Sequence, residues 1–279
     1  MITIEGNIRK MRVENKNPIQ YSIVLSDKNI PINEHIGSII ELKWNGIINC
    51  VKCGNRTQKS FFQGFCYPCF MNAPESSECI LKPELCKAHE GVSRDMEWAE
   101  EHCLSDHYVY LSLTSGIKVG VTRYTQIPTR WIDQGAVKAL KIAKTPNRYL
   151  AGVIEVVLKD FVSDRTAWQR MLKNEVLLDT DLYEYRKKLK CQLNNELGQY
   201  ILNDEKEISI EYPINQYPNK IKSINLDKLK EFSGILTGVK GQYLYIDNEN
   251  VINMRKYSGY YFNINITSDK QTSHQQSFL

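Results

Sequence analysis

The spacing of apolar and polar positions changes several times along this chain, and the changes divide it. Residues 1–49 carry β-branched runs, ITIEGNI, IQYSIVL and SIIELKWNGII, separated by turn signals at Asn17-Pro18 and Asp27-Lys28-Asn29. Such runs predict strands of a small antiparallel sheet or barrel. Residues 50–106 lose that pattern and are rich in cysteine. From 107 it resumes. Residues 108–113 (YVYLSL) and 117–123 (IKVGVTR) read as two strands joined by the turn Thr114-Ser115-Gly116. Pro128 at a first helical turn predicts a helix through TRWIDQGAVKALKIAK, stopped by Thr145-Pro146-Asn147. The continuous apolar centre of 151–159 (AGVIEVVLK) predicts a third strand. Ser163 or Asp164 then opens a helix through TAWQRMLKN.

The order over 107–175 is therefore strand, strand, helix, strand, helix. Over 176–206, Leu182, Tyr185, Leu189, Leu193, Leu197 and Ile201 recur at three- and four-residue steps, which predicts a long amphipathic helix with a packing stripe. Residues 207–267 return to strands (EISIEYPI, FSGILTGVK, GQYLYIDN, YYFNINI) and predict a small β-barrel or sheet that the N-terminal strands could complete. Residues 268–279 are polar and predict disorder. The expected class is α+β: a β-rich N-terminal segment, a cysteine-rich region, a ββαβα core, a long helix and a C-terminal β-rich domain.

The cysteines give the strongest chemical signal. Cys50-x2-Cys53 and Cys66-x2-Cys69 stand twelve residues apart. Each Cys-x2-Cys turn aims two thiolates at one point, and two turns close a tetrahedron around Zn2+. The alternatives are a disulfide pair or buried free thiols. Gly54 follows the first pair where positive φ serves a tight turn, and Phe61, Phe62, Phe65 and Tyr67 can wrap the site. A second set, Cys79, Cys86, His89 and Cys103, with His102 as another fourth ligand, predicts a second zinc. Its alternative is buried thiols and a surface histidine. Cys191 stands alone.

Charge changes the picture locally. The net charge is +4, yet residues 113–150 hold seven basic residues against Asp133, while 75–106 hold nine acidic and three basic. A basic middle predicts an anion-binding face. Arg123, Arg130, Trp131, Gln134, Lys138, Lys141, Lys144, Arg148 and Tyr149 mix cations, amides and aromatics, which suits phosphates and unpaired bases. A solvated helix face with Trp131 in the core is the plainer alternative. The opening MITIEGNIRK has no leader-like pattern, and no apolar run approaches the ~20 residues that span a bilayer. The expectation is a soluble, cytoplasmic protein without a membrane partner. No P-loop or Rossmann fingerprint is present, so no nucleotide cofactor is expected.

The middle segment resembles the GIY-YIG superfamily, with Tyr108-Val109-Tyr110 at the first motif, Lys118-Val119-Gly120 within Ile117–Thr122 at the second, and Arg130 on the helix. The resemblance covers about a quarter of the chain. It implies phosphodiester hydrolysis with one Mg2+ or Mn2+: a tyrosine such as Tyr110 positioning water, Arg130 offsetting phosphate charge, and a glutamate on the last helix holding the metal. Lys118 stands in place of the second-motif tyrosine. No glutamate opens the helix expected after 151–159. That leaves Asp164 as ligand or cap, with Glu155 and Glu175 as further carboxylates. Phosphodiester chemistry needs cations on its oxygens and an oriented nucleophile.

The whole chain also resembles an uncharacterised bacterial family bearing one domain of unknown function, in FCYPCF, PELCKAHEG, IKVGVTR, PTRWIDQGA, TPNRYLAG and GVKGQYLY. The terminal QQSFL resembles glutamine-plus-apolar peptides that dock on sliding clamps, a possible protein partner. Three functions are in view: a zinc-containing DNA- or RNA-binding protein with a divergent core, an active divalent-metal-dependent endonuclease on that core, and a non-catalytic interaction scaffold.

Overall fold

A computed structural model describes residues 1–177 and 179–268, so the QQSFL motif lies outside the described residues. The chain divides into two compact units. One comprises Met1–Cys69 with the C-terminal portion from Tyr212, the other Phe70–Glu211.

In the first unit the N- and C-terminal strands build one seven-stranded sheet. Its order is Ile2–Asn7, Tyr260–Thr267, Ile39–Ile48, Glu231–Lys240, Tyr243–Ile246, Asn250–Asn253 and Lys222–Ser223. All neighbours are antiparallel except the last pair. The expected barrel is not closed. Arg12–Glu14, Gln20–Leu25 and Lys28–Pro31 form a separate three-stranded meander. Period-two burial explains these strands. Tyr21, Ile23 and Leu25 go inward along one, as do Phe262, Ile264 and Ile266 along another. The strand Ile39–Ile48 runs directly into the first cysteine pair.

The second unit carries a four-stranded antiparallel sheet in the order Ile117–Arg123, His107–Leu113, Lys138–Thr145 and Ile208–Ser209. Its core joins Val109, Leu111, Val119, Leu140 and Ile142 to Ala151, Ile154 and Leu158 of the helix Arg148–Lys159, and to Leu182 and Leu189 of the helix Leu182–Lys190.

Several boundaries differ from the sequence expectation. The helix after Pro128 covers only Thr129–Asp133 and ends at Gly135 (φ +71°), after which Lys138–Thr145 is a strand. The expected third strand over 151–159 is instead the helix Arg148–Lys159. Asn147 caps it by accepting from Leu150 N at 2.9 Å, and Ala151, Ile154, Glu155 and Leu158 form its buried stripe. The unit thus runs hairpin, short helix, strand, helix, one element earlier than the sequence suggested. The long helix over 176–206 breaks into Leu182–Lys190 and Asn195–Gly198, because Asn194 caps a new turn by accepting from Leu197 N. Asp164 caps no helix; the short helix Trp168–Leu172 begins after Ala167.

Candidate functional site

The Cys50, Cys53, Cys66 and Cys69 sulfurs of the first unit all lie within 4.8 Å of one another. Cys53 Sγ and Cys66 Sγ are 3.8 Å apart. A tetrahedral centre with metal–sulfur bonds of ~2.3 Å has sulfur–sulfur edges of about 3.8 Å, so the donors fit such an ion. Two tight turns supply them. Gly54 N donates to Cys50 O, with Gly54 at φ +76°. Gly64 (φ +120°) lies so close to Val51 and Ser258 that a side chain there would collide with both. Lys52 N points at Cys50 Sγ at 3.4 Å. Burial pushes the Cys50 thiol up, but backbone N–H groups of Cys53, Cys66 and Lys52 outweigh it and bring it to about 6. Cys69, pushed up first by burial and then by the neighbouring thiols, rises to about 12. Four crowded thiols share charge badly without a cation, and the set could hold a metal ion. All four are free of disulfides.

The second unit gathers a polar cluster on its sheet. Tyr110, fully buried, pairs across the strands with Gly120. A Cβ at Gly120 would stand 2.6 Å from Tyr110 Oη, so the glycine of the Lys-x-Gly motif is the space the tyrosine occupies. The Gln134 amide bridges Tyr110 to Arg130. Its nitrogen donates to Tyr110 Oη at 2.9 Å, and its oxygen accepts from Arg130 Nε at 3.1 Å and Nη2 at 3.3 Å. The opposite amide orientation would set N–H against the guanidinium. Burial raises the Tyr110 hydroxyl, with Arg130 opposing, so the phenol stays neutral and its proton remains free to donate.

Lys118, 6 % exposed, faces Arg130, Glu155 and Asp164, and its ammonium forms no hydrogen bond or ion pair among the described residues. Burial first, then Arg130, bring its ammonium down to about 8. Glu155, 8 % exposed, is raised chiefly by burial; Lys159 lowers it, and Glu84 and Asp164 raise it further. Lys159 Nζ stands 3.7 Å from Glu155 and 3.6 Å from Asp164. Val119 N donates to Ser163 O, which brings the Asp164 loop beside Lys118. Tyr110, Lys118, Arg130 and Asp164 are thus neighbours, and Glu155 joins them because its segment is helical. Glu175 instead pairs with Lys173 and Arg170.

The rest of the basic string is spoken for. Trp131 is fully buried and cannot stack on bases from there. Arg148, 9 % exposed, gives its guanidinium to the carbonyls of Cys79 and His102. Arg123 neighbours Arg148 and Glu101 rather than Arg130. Lys138, Lys141 and Lys144 pair with Glu207, Glu205 and Asp106 at 3.2, 2.8 and 2.7 Å. His89 stacks on Tyr149, and His102 stacks on Trp98 while its Nδ1 meets Trp98 O. Sequence reasoning did not single out Glu84 or His107. His107 is fully buried, and burial first, then Arg148, bring it down to about 4, so it is neutral. His107 lies in no motif named above, and Glu84 falls within PELCKAHEG, which gives it no chemical role.

A four-cysteine centre able to hold a metal ion, on a chain with several sheets and few helices, makes this an α+β protein with a candidate metal centre. Residues 37–262 match the family model described as "Protein of unknown function (DUF2797)", and the chain belongs to that family. No curated protein and no solved structure matches it. Among the described residues no helix is long and apolar enough to cross a membrane.

Proposed function

We propose that this is a nucleic-acid-binding protein whose second unit grips backbone phosphate on a GIY-YIG-like core, and whose four-cysteine centre holds Zn2+ as a structural ion. The observation that carries the reading is Lys118, an unpaired and nearly buried ammonium that faces Arg130, the guanidinium that Gln134 links to Tyr110. Two cations facing one another, Lys118 and Arg130, suit a phosphate oxygen, with the buried Tyr110 hydroxyl holding the guanidinium in place through Gln134. Because Lys138, Lys141 and Lys144 are neutralised, the grip is local, and few phosphates are contacted.

A second reading, metal-dependent hydrolysis, is favoured by one specific observation. Glu155 lies on the helix that follows the third strand, where the resemblance requires a carboxylate, and it faces Lys118. Glu155 and Asp164 would hold Mg2+ or Mn2+, which would supply charge stabilisation on the phosphate. Arg130 would offset charge building on the phosphoryl oxygens, and Tyr110 would orient the attacking water.

One experiment tests both. Labelled single- and double-stranded DNA and RNA are titrated with the full chain at low salt, with and without Mg2+ or Mn2+, beside Arg130→Ala. Losing a charge-assisted contact of ~1.5–3 kcal/mol weakens binding roughly 10- to 100-fold. Cleavage that Arg130→Ala and Glu155→Gln abolish selects the nuclease. Absence of binding to any of the four probes refutes both readings.

A further inference from the structure

The second unit holds a further group of three cysteines, contributed by separate segments. Cys79 lies in the 3-10 turn Glu78–Ile80, Cys86 follows the turn Pro83–Leu85, and Cys103 ends the helix Met96–His102. The three thiols interact with one another and pack with Ala88 and Ala99. All three are free. Together they line a cavity of about 390 Å3 whose walls include Lys87, Arg94 and Trp98.

We propose that Cys79, Cys86 and Cys103 are the three thiolate donors of a second transition-metal site, with its fourth vertex open to that cavity. Three thiolates and a divalent ion leave one net negative charge, which a protein must offset locally. Arg148 does so. Its nearly buried guanidinium sits beside Cys103 and bonds the carbonyls of Cys79 at 3.5 Å and His102 at 3.1 Å, while its backbone N donates to Cys103 O at 2.8 Å. One arginine thus fixes two of the donor segments and supplies the counter-charge. Soft sulfur donors select Zn2+ over Mg2+ or Ca2+. His89 and His102 are not among the residues that line the cavity, and Glu78, which is, pairs with Lys82 at 3.1 Å, so the fourth position is left to water or another exogenous ligand. An open vertex distinguishes this site from the closed one in the first unit. Among the described residues only the first set brings its donors within 4.8 Å of one another, so a metal at the second site requires these three sulfurs to close up.

The test counts metal in the full chain purified without chelator under reducing conditions, and after reconstitution with Zn2+. Two equivalents per chain are expected, falling to one in Cys86→Ser and in Cys103→Ser, with the four-cysteine ion retained. Titration of apo-protein with Co2+ gives an independent reading: the sulfur-to-cobalt absorption rises in two steps, the smaller from three thiolates. One equivalent in the reconstituted wild type, or a single Co2+ step, overturns the proposal without reference to any variant's folding. Two equivalents persisting in both serine variants overturn it equally. Nucleic-acid binding plays no part in the readout.

Discussion

Glycine in a helix normally costs about 1 kcal/mol relative to alanine, so a helical Gly→Ala change is ordinarily stabilising. At Gly152 of the helix Arg148–Lys159 the sign reverses. A Cβ there would stand 2.2 Å from Glu84 N, 2.4 Å from Pro83 C and 2.8 Å from Glu84 Cα. These are backbone atoms of the turn Pro83–Leu85, so no side chain can swing aside. Overpacking costs about 1–3 kcal/mol, more when backbone must move. With the propensity gain set against it, Gly152→Ala should lose about 2 kcal/mol. The comparison is Gly198→Ala. Nothing lies within 4 Å of a Cβ at Gly198, which closes the helix Asn195–Gly198, and this variant should gain up to ~1 kcal/mol. Urea denaturation of the full chain gives the two signs, and hydrogen exchange over residues 78–90 reports whether the turn has been pushed off. Gly152→Ala with wild-type stability and unchanged exchange there would refute the packing argument.

Lys118 gives a pH dependence. Its folded value, about 8, lies below the ordinary 10.5, so the unfolded chain binds more protons between those limits and stability rises with pH across that window. The penalty is full below about pH 8. Lys118→Met should therefore add up to ~3 kcal/mol at neutral pH and flatten that part of the stability profile; an unchanged slope rejects it. Phosphate binding should run oppositely, weakening as pH passes about 8, which anisotropy at constant ionic strength would show. Chelation of the four-cysteine centre, or Cys53→Ser, should lower the thermal midpoint and expose thiols to a chromogenic reagent. Gly120→Ala should displace Tyr110 and weaken phosphate binding more than it changes secondary structure, a split that circular dichroism beside the binding assay detects.

What was legible in the sequence was local. Cys50-x2-Cys53 and Cys66-x2-Cys69 each close within one turn, so spacing alone placed them together. The strand Ile117–Arg123 also follows from its own residues. The exchange of the next two elements has a physical cause. Lys138, Lys141 and Lys144 recur every three residues and read as a helix face, but the ladder pairs Val109 with Ala143 and Tyr110 with Lys141. Ile142 is a bulge that shifts the alternation. Conversely, Val153, Ile154, Val156 and Val157 read as a strand, while the Asn147 cap and tertiary packing of Ala151, Ile154 and Leu158 impose a helix. That exchange hid Glu155, whose place among Tyr110, Lys118 and Arg130 depends on contacts across four elements.

The turn Pro83–Leu85 links the two polar features of the second unit. It packs against Gly152, one turn before Glu155 on the same helix. Glu84 Oε2 is buried without a hydrogen-bond donor among the described residues, and its charge raises Glu155. Cys86, the next residue after the turn, belongs to the three-cysteine group. A change in that group which shifted the turn would therefore move Glu84 relative to Glu155, altering the charge around Lys118. Two carboxylates held near each other and partly or wholly out of water are costly unless a proton or a cation lies between them. If the nuclease reading holds, that cation is the divalent metal, and Glu84→Gln should raise the metal concentration needed for cleavage. If the core only grips phosphate, Glu84→Gln should leave the metal dependence absent and tighten anion binding, because one opposing charge is gone. The same substitution thus separates the two readings by the direction of its effect.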